Sequence, residues 1–461
     1  MLDLFFLAFA LAFFGAGMRK PFLFVLAYTW LDIVAPQRIV DWGLISHIPI
    51  SLIAFVGAFG LWFVADDKRD LRFSMRQAIL LALLAYCFVT TQTADFPVAA
   101  QEKWSWVWKA LVFAIFLPLT LRTRLRIEAM ALIMVLSAGV IIIGGGIKTL
   151  ASGGGGYGGL SLLVNDNTGL YEGSTLSMVA VAILPLIVWL VRHGTVFPAD
   201  WKVRLFAVAL GFACLLIPVG TQTRTGLLCI ILLLVLSLRT VRHRFAYVAL
   251  IAAAGAIAIP MLPASYKERM SSIENHQADQ SASTRIAVWK WTIKYAEQHP
   301  FGGGFEAYRQ NRLSFDTVEK DRDGSNVEIE KDKIVDKGRA YHSAYFEMLG
   351  EQGYPGLALW LLLQALGITQ MEVLRRRFRR DPPQGMEWLA PLANALQQAQ
   401  FVYLLGSLFV GIAFQPFCYM LIGLQISLWA YAKRIAIARP PRIVARSRRA
   451  RPPTSAPALQ S

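Results

Sequence analysis

The chain has 461 residues, 56% of them apolar and only 16% charged, with a formal net charge of +16. Soluble chains carry about 25% charged residues, so this composition excludes an ordinary soluble globular protein. The basic surplus sits in short clusters between long apolar runs, a placement that excludes nucleic acid as the partner and points to membrane lipid.

In chain order the apolar runs fall at 3–18, 21–35, 48–65, 77–93, 107–121, 127–147, 174–191, 205–219, 226–238, 246–262, 344–371, 391–412 and 417–432. Most approach the length of about 20 residues that crosses a hydrocarbon core at about 1.5 Å per residue. The first, with Leu4 to Phe14 at its centre, lacks a basic leader and a small-residue cleavage motif, so it reads as a membrane segment. The fold class expected is an all-α polytopic membrane protein of about 12–13 transmembrane helices, because the first two runs are short enough to form one hairpin. The four cysteines lie in apolar runs without CxxC spacing and read as core residues.

Basic clusters orient these spans. They are Arg19–Lys20, Lys68 to Arg76, Arg122 to Arg126, Arg192 to Arg204, Arg239 to Arg244, Arg375 to Arg380, and the tail from Lys433 to Arg451. Threaded through the runs, all of them fall on one side, which the positive-inside rule makes cytoplasmic. The expected division is a membrane domain 1–262, an outward loop domain 263–343, the last spans 344–432, and a tail 433–461. The tail is basic and proline-rich and reads as disordered, held against anionic headgroups.

The outward segments carry the candidate chemistry. Gly144-Gly-Gly-Ile-Lys-Thr149 approximates a phosphate-binding loop but has Ile147 where that motif needs Gly. Thr221-Gln-Thr-Arg-Thr-Gly226 sets Arg224 at the mouth of two spans, as a functional charge or as a side chain snorkelling to headgroups. From Ser281 an amphipathic helix is expected, capped by Ser283 or Thr284 and stopped near His299 by Pro300. Its inner face holds Ile286, Trp289, Ile293 and Ala296, and Arg285 falls in its first turn, suited to an anion or to a loop carboxylate. Gly302-Gly-Gly304 is a structural turn, and the mixed charges of 316–337 read as a solvated loop. Within it Asp321-Arg-Asp323 spells a DxD, but flanked by Lys320 it is not expected to hold a metal. His342 stands at the membrane boundary on a long helix, as a general base or as an interfacial hydrogen-bonding group.

Three of these motifs share one side of the membrane: Thr-Arg-Thr-Gly226, the Ser-Thr-Arg-Ile helix ending His-Pro-Phe-Gly-Gly-Gly304, and Tyr-His-Ser343 followed by Glu-Gln-Gly353. In that order they resemble the O-antigen ligase/polymerase superfamily of bacterial envelope glycosyltransferases. The likeness is greatest to its exosortase A-associated O-glycosylation ligases, which Arg19-Lys-Pro-Phe22, Trp30 to Arg38 and Asn165-Asp-Asn167 also resemble. The resemblance covers nearly the whole chain except the tail. It implies a metal-independent, cofactor-free transferase on the periplasmic face of the inner membrane, with a polyprenyl-diphosphate-linked glycan as donor. By motif, Arg224 and Arg285 would hold the diphosphate and His342 would act on the acceptor hydroxyl. Many superfamily members carry Asn after the His where this chain has Ser343, which sets it apart from ligases of the lipid A core. The alternatives are a polymerase of the same superfamily and, in a different class, a transporter or flippase. Transporters are commonly built from internal repeats, and the sequence shows none.

Overall fold

The computed structural model describes residues 2–40, 47–68, 71–151, 169–197, 199–241, 243–261, 280–323, 326–380 and 382–438. The amino-terminal helices are α1 (Leu2–Arg19), α2 (Phe22–Val34), the short α3 (Pro36–Ile39), α4 (Ile50–Ala65), α5 (Met75–Gln92), α6 (Pro97–Thr120) and α7 (Arg124–Ala151). They are followed by α8 (Gly173–His193), α9 (Trp201–Gly220), α10 (Arg224–Ser237) and α11 (Arg244–Met261). Helix α12 (Gln280–Gln298) and a hairpin, β1 (Arg312–Asp323) and β2 (Asn326–Lys337), precede α13 (Ala344–Arg380), α14 (Leu389–Gly406) and α15 (Pro416–Ala438).

Every apolar run overlaps one helix, and the chain is an all-α polytopic membrane protein. Among the described residues, 6 segments are long and apolar enough by themselves to cross a membrane, from Phe22–Ile39 to Ala344–Arg380. Apolar side chains remain exposed along the bundle, Phe63, Val208 and Phe245 among them. Such a surface is stable against lipid and costly against water. The four cysteines are buried and unpaired, as core residues should be.

Basic clusters distant in sequence meet at one end of the bundle. Arg126 pairs with Asp66 at 2.7 Å, Arg124 donates to the His193 carbonyl at 2.8 Å, and Arg434 donates to the Arg122 carbonyl at 2.7 Å. Arg239 and Arg375 share Glu372 at 2.8 and 2.7 Å. The alternation of spans therefore has a physical counterpart. Arg76 is the exception: its sequence position places it in a solvated cluster, yet it is fully buried and donates to Gln425 at 2.9 Å. A capping box between Ser74 and Gln77 starts α5 just ahead of it and carries it inside.

Other boundaries differ for identifiable reasons. Helix α6 begins ten residues before its apolar run, at Pro97, because Pro at the first turn is pre-set for helix and the polar Lys103 is neutralised inside. Helix α12 begins at Gln280, ahead of Ser283 and Thr284, so Arg285 lies in its second turn and not beside unpaired amides. Its buried face is Val288, Thr292, Tyr295 and Ala296, while Ile286 and Ile293 are exposed. Residues 316–323 and 326–337, expected as a loop, form most of the two antiparallel strands, with Arg312 opposite Lys337. Gly144 to Thr149 are helical within α7, which removes the phosphate-loop reading. Lys433 to Ala438, expected as tail, continue α15. The rest of the tail and Asn165 to Asn167 lie outside the described residues.

Candidate functional site

The chemistry gathers at the end of the bundle opposite the basic clusters, where α13 starts. Gly353, at φ 62, breaks α13 in its third turn. A break leaves backbone groups unpaired, which is tolerated at membrane depth only where other protein satisfies them. The His-Pro-Phe-Gly-Gly-Gly304 segment does so. Gly303 and Gly304 amides donate to the carbonyls of Gly350 and Glu351 at 3.1 and 2.9 Å, and the Tyr354 amide donates to Pro300 at 2.9 Å. A side chain on Gly353 would collide with the Pro300 carbonyl, so these glycines are structural.

His342 lies two residues before the start of α13 and holds a left-handed backbone, φ 48, a region populated by only a few per cent of non-glycine residues. It is fixed from both sides. The Trp289 indole donates to the Tyr341 carbonyl at 2.9 Å and stacks on Phe346 at 4.9 Å. The Ala344 amide donates to Ser407 at 2.8 Å. Trp289 lies four residues after Arg285 on α12, hence on the same face, and its bond to Tyr341 brings Arg285 toward His342.

Desolvation by the surrounding protein, first, and then the positive charge of Arg285 lower the pKa of His342 below its ordinary value. Glu172 raises it, and Arg339 lowers it again. The imidazole thus lies within electrostatic reach of two guanidiniums and one carboxylate. Glu172 is also the cap of α8, accepting from the Ser174 and Thr175 amides at 3.0 and 2.6 Å. Arg339 is placed by Asn311, whose side chain bonds the Arg339 amide and carbonyl at 2.9 and 2.7 Å.

Arg224 approaches from α10, as its first residue, after Gln222 at φ 50. The hydroxyls of Thr221 and Thr223 bond Ser177 of α8 at 2.8 and 2.9 Å, and all three are buried. A side chain on Gly226 would collide with Pro218. The Thr-Arg-Thr-Gly turn is thereby packed against the first turns of the helix that Glu172 caps. The structure places Arg285 within electrostatic reach of His342, and Arg224 lies on the turn packed against the start of α8, which Glu172 caps.

Glu172, Arg339 and a buried ion cluster are neighbours of His342 that the sequence alone does not single out. Lys103 of α6 contacts Glu347 at 2.7 Å and Glu351 at 2.8 Å, one and two turns after His342. The one signal of this cluster in the sequence is a pair of carboxylates spaced i, i+4 at the start of an apolar run. Among the described residues no group of 3 or more His, Cys, Asp or Glu is placed to hold a metal ion. The side chains of Asp321 and Asp323 lie outside the described part of the structure.

A neutral imidazole beside guanidinium groups is suited to accepting a proton from a hydroxyl next to a bound anion. Residues 1–195 match a family described as of unknown function (DUF5935), and residues 206–361 match the family described as O-Antigen ligase. No curated protein matches the chain. The second match spans Arg224, Arg285 and His342 together. Residues 206–361 therefore carry an O-antigen ligase family domain, which supports a glycan enzyme of the ligase/polymerase type.

Proposed function

We propose that the protein is a glycan ligase of the bacterial inner membrane that works at the periplasmic face. It transfers an oligosaccharide from a polyprenyl-diphosphate donor to an acceptor hydroxyl. The observation that carries this reading is the placement of His342, on a left-handed backbone and within electrostatic reach of Arg285, at the end of the bundle away from the basic clusters. In the reaction the acceptor O–H gives its proton to His342 as its oxygen attacks the anomeric carbon. The bond from that carbon to the diphosphate oxygen breaks, and the polyprenyl diphosphate departs with the electron pair. Arg224 and Arg285 offset the charge that develops on it. Fixed cations of this kind supply what a divalent ion would otherwise supply, so the transfer is expected to run without metal or other cofactor.

Ser343, where many superfamily members have Asn, favours an exosortase-associated O-glycosylation ligase over a ligase of the lipid A core. The acceptor is then a protein or lipid hydroxyl. Incubation of the detergent-purified protein with a polyprenyl-diphosphate glycan and candidate acceptors tests the reading. A single glycan on a distinct acceptor supports a ligase, whereas a ladder of lengthening lipid-linked chains would assign a polymerase. No transfer of either kind, from protein that is folded and monodisperse, overturns the proposal.

A further inference from the structure

The Lys103–Glu347–Glu351 cluster lies behind the start of α13 and is almost wholly enclosed. Its side chains are 11%, 7% and 0% exposed, and the Lys103 ammonium lies 5.5 Å from the Phe305 ring, which closes the cluster on one side. One ammonium faces two carboxyl groups in an enclosed site, and a hydrophobic substitute would be cheaper if stability were all that mattered.

Each carboxylate ties down something different. Glu347 accepts from the Ala413 amide at 3.0 Å, and its own amide donates to Ser343 at 2.8 Å. It therefore joins the residue after His342 to the connection between α14 and α15. Glu351 accepts from the Glu306 amide at 3.0 Å, which secures the glycine segment at the break in α13. Glycine is also required at 350, because a side chain there would collide with the Tyr341 hydroxyl. Lys103 is the point where these restraints meet.

The geometry points to Lys103, Glu347 and Glu351 as positioning residues that set the backbone and ring orientation of His342. Lys103 belongs to the part of the chain that matches a family of unknown function, and Glu347 and Glu351 to the O-antigen ligase domain. The amino-terminal family would then owe one role to this contact: it supplies the cation that fixes the base of a domain it does not itself contain. The inference rests on His342 as the base, and misplacement of a reacting group by about 1 Å costs about 10²-fold in rate.

Two variants test it, Lys103→Met and the isosteric Glu347→Gln, each with two readouts. The first is transfer kinetics on full-length protein in detergent. The expected result is a kcat lowered about 10²-fold with the donor KM held within about threefold, since positioning affects the chemical step and not donor binding. The second is the rate at which diethyl pyrocarbonate modifies His342, read on its peptide by mass spectrometry, with the other histidines as internal controls. Both variants are expected to change that rate at His342 alone. This second readout needs no turnover, so it separates failure of the positioning role from failure of the proposed function. Wild-type kcat and labelling in either folded variant overturns the inference, and so does a raised donor KM with kcat intact. If Lys103→Met fails to fold, Glu347→Gln decides the matter alone.

Discussion

At the scale of single residues, the imidazole of His342 and its charged neighbours set the expectations. As the base, His342 must be neutral, and its lowered pKa keeps it so at neutral pH. Activity should fall only as pH drops through that lowered value, below the ordinary histidine value of about 6.5. Replacing Arg285 with Gln removes a lowering charge, so the acid limb should move to higher pH as the rate falls. Replacing Glu172 with Gln removes the raising charge, so the limb should move to lower pH. Limbs that stay fixed in both variants, in kcat/KM profiles, would take His342 out of the role of base. Independently, His342→Ala, Arg224→Ala and Arg285→Ala should each cost about 10²- to 10⁴-fold in transfer by normally inserted protein. Turnover should also persist in excess EDTA, and rescue of a chelated enzyme by Mg²⁺ or Mn²⁺ would show that two arginines are not a sufficient clamp. Arg224 and His342 stand out in the sequence because each lies at the edge of an apolar run, and Arg285 because it lies near the start of an amphipathic helix. Glu172 and Lys103 are not, since a capping carboxylate and an internal ion pair leave no mark in a sequence until their partners are known.

At the scale of elements, hydropathy locates the helices well and their ends poorly. Helices α6 and α12 both extend into polar sequence, because Lys103 finds its counter-charges only in α13 and Val288 finds its packing only against Leu313 and Tyr341. The hairpin is poorly legible because the alternation at Leu313 and Phe315 and at Val327 and Ile329 is short and is interrupted by runs of mixed charge. The glycine segment, read as a structural turn, acquires a reason: it repairs the broken backbone at Gly353. This gives a prediction on stability. Gly353→Ala forces a Cβ at φ 62 against the Pro300 carbonyl, and should destabilise the folded protein by about 1–3 kcal/mol. Gly385, also at positive φ with φ 79, has no atom within 4 Å of the same added carbon. Gly385→Ala should therefore carry only the backbone cost. Equal melting temperatures for the two variants in one detergent would mean that the packing at the break is looser than the structure shows.

For the whole molecule, what matters is which way the bundle sits. Two independent features divide its ends: the paired arginines of the 122–126, 239 and 375 clusters at one, and the break in α13 with His342 at the other. The positive-inside rule acts on lysine and arginine in short connections, so the arginine end is expected in the cytoplasm and the His342 end in the periplasm. A polyprenyl-diphosphate glycan already moved across the membrane would meet the site arginines, Arg224 and Arg285, only in that orientation. Single cysteines at Asp323, in the hairpin that follows α12, and at Ser455, in the tail, report the two sides. With the native cysteines buried, a membrane-impermeant maleimide should label Asp323→Cys in intact spheroplasts, and Ser455→Cys only after the membrane is opened. The reverse pattern would put the site in contact with cytoplasmic donors, and the assignment as a periplasmic ligase would fall with the topology even if His342 proved to be the base.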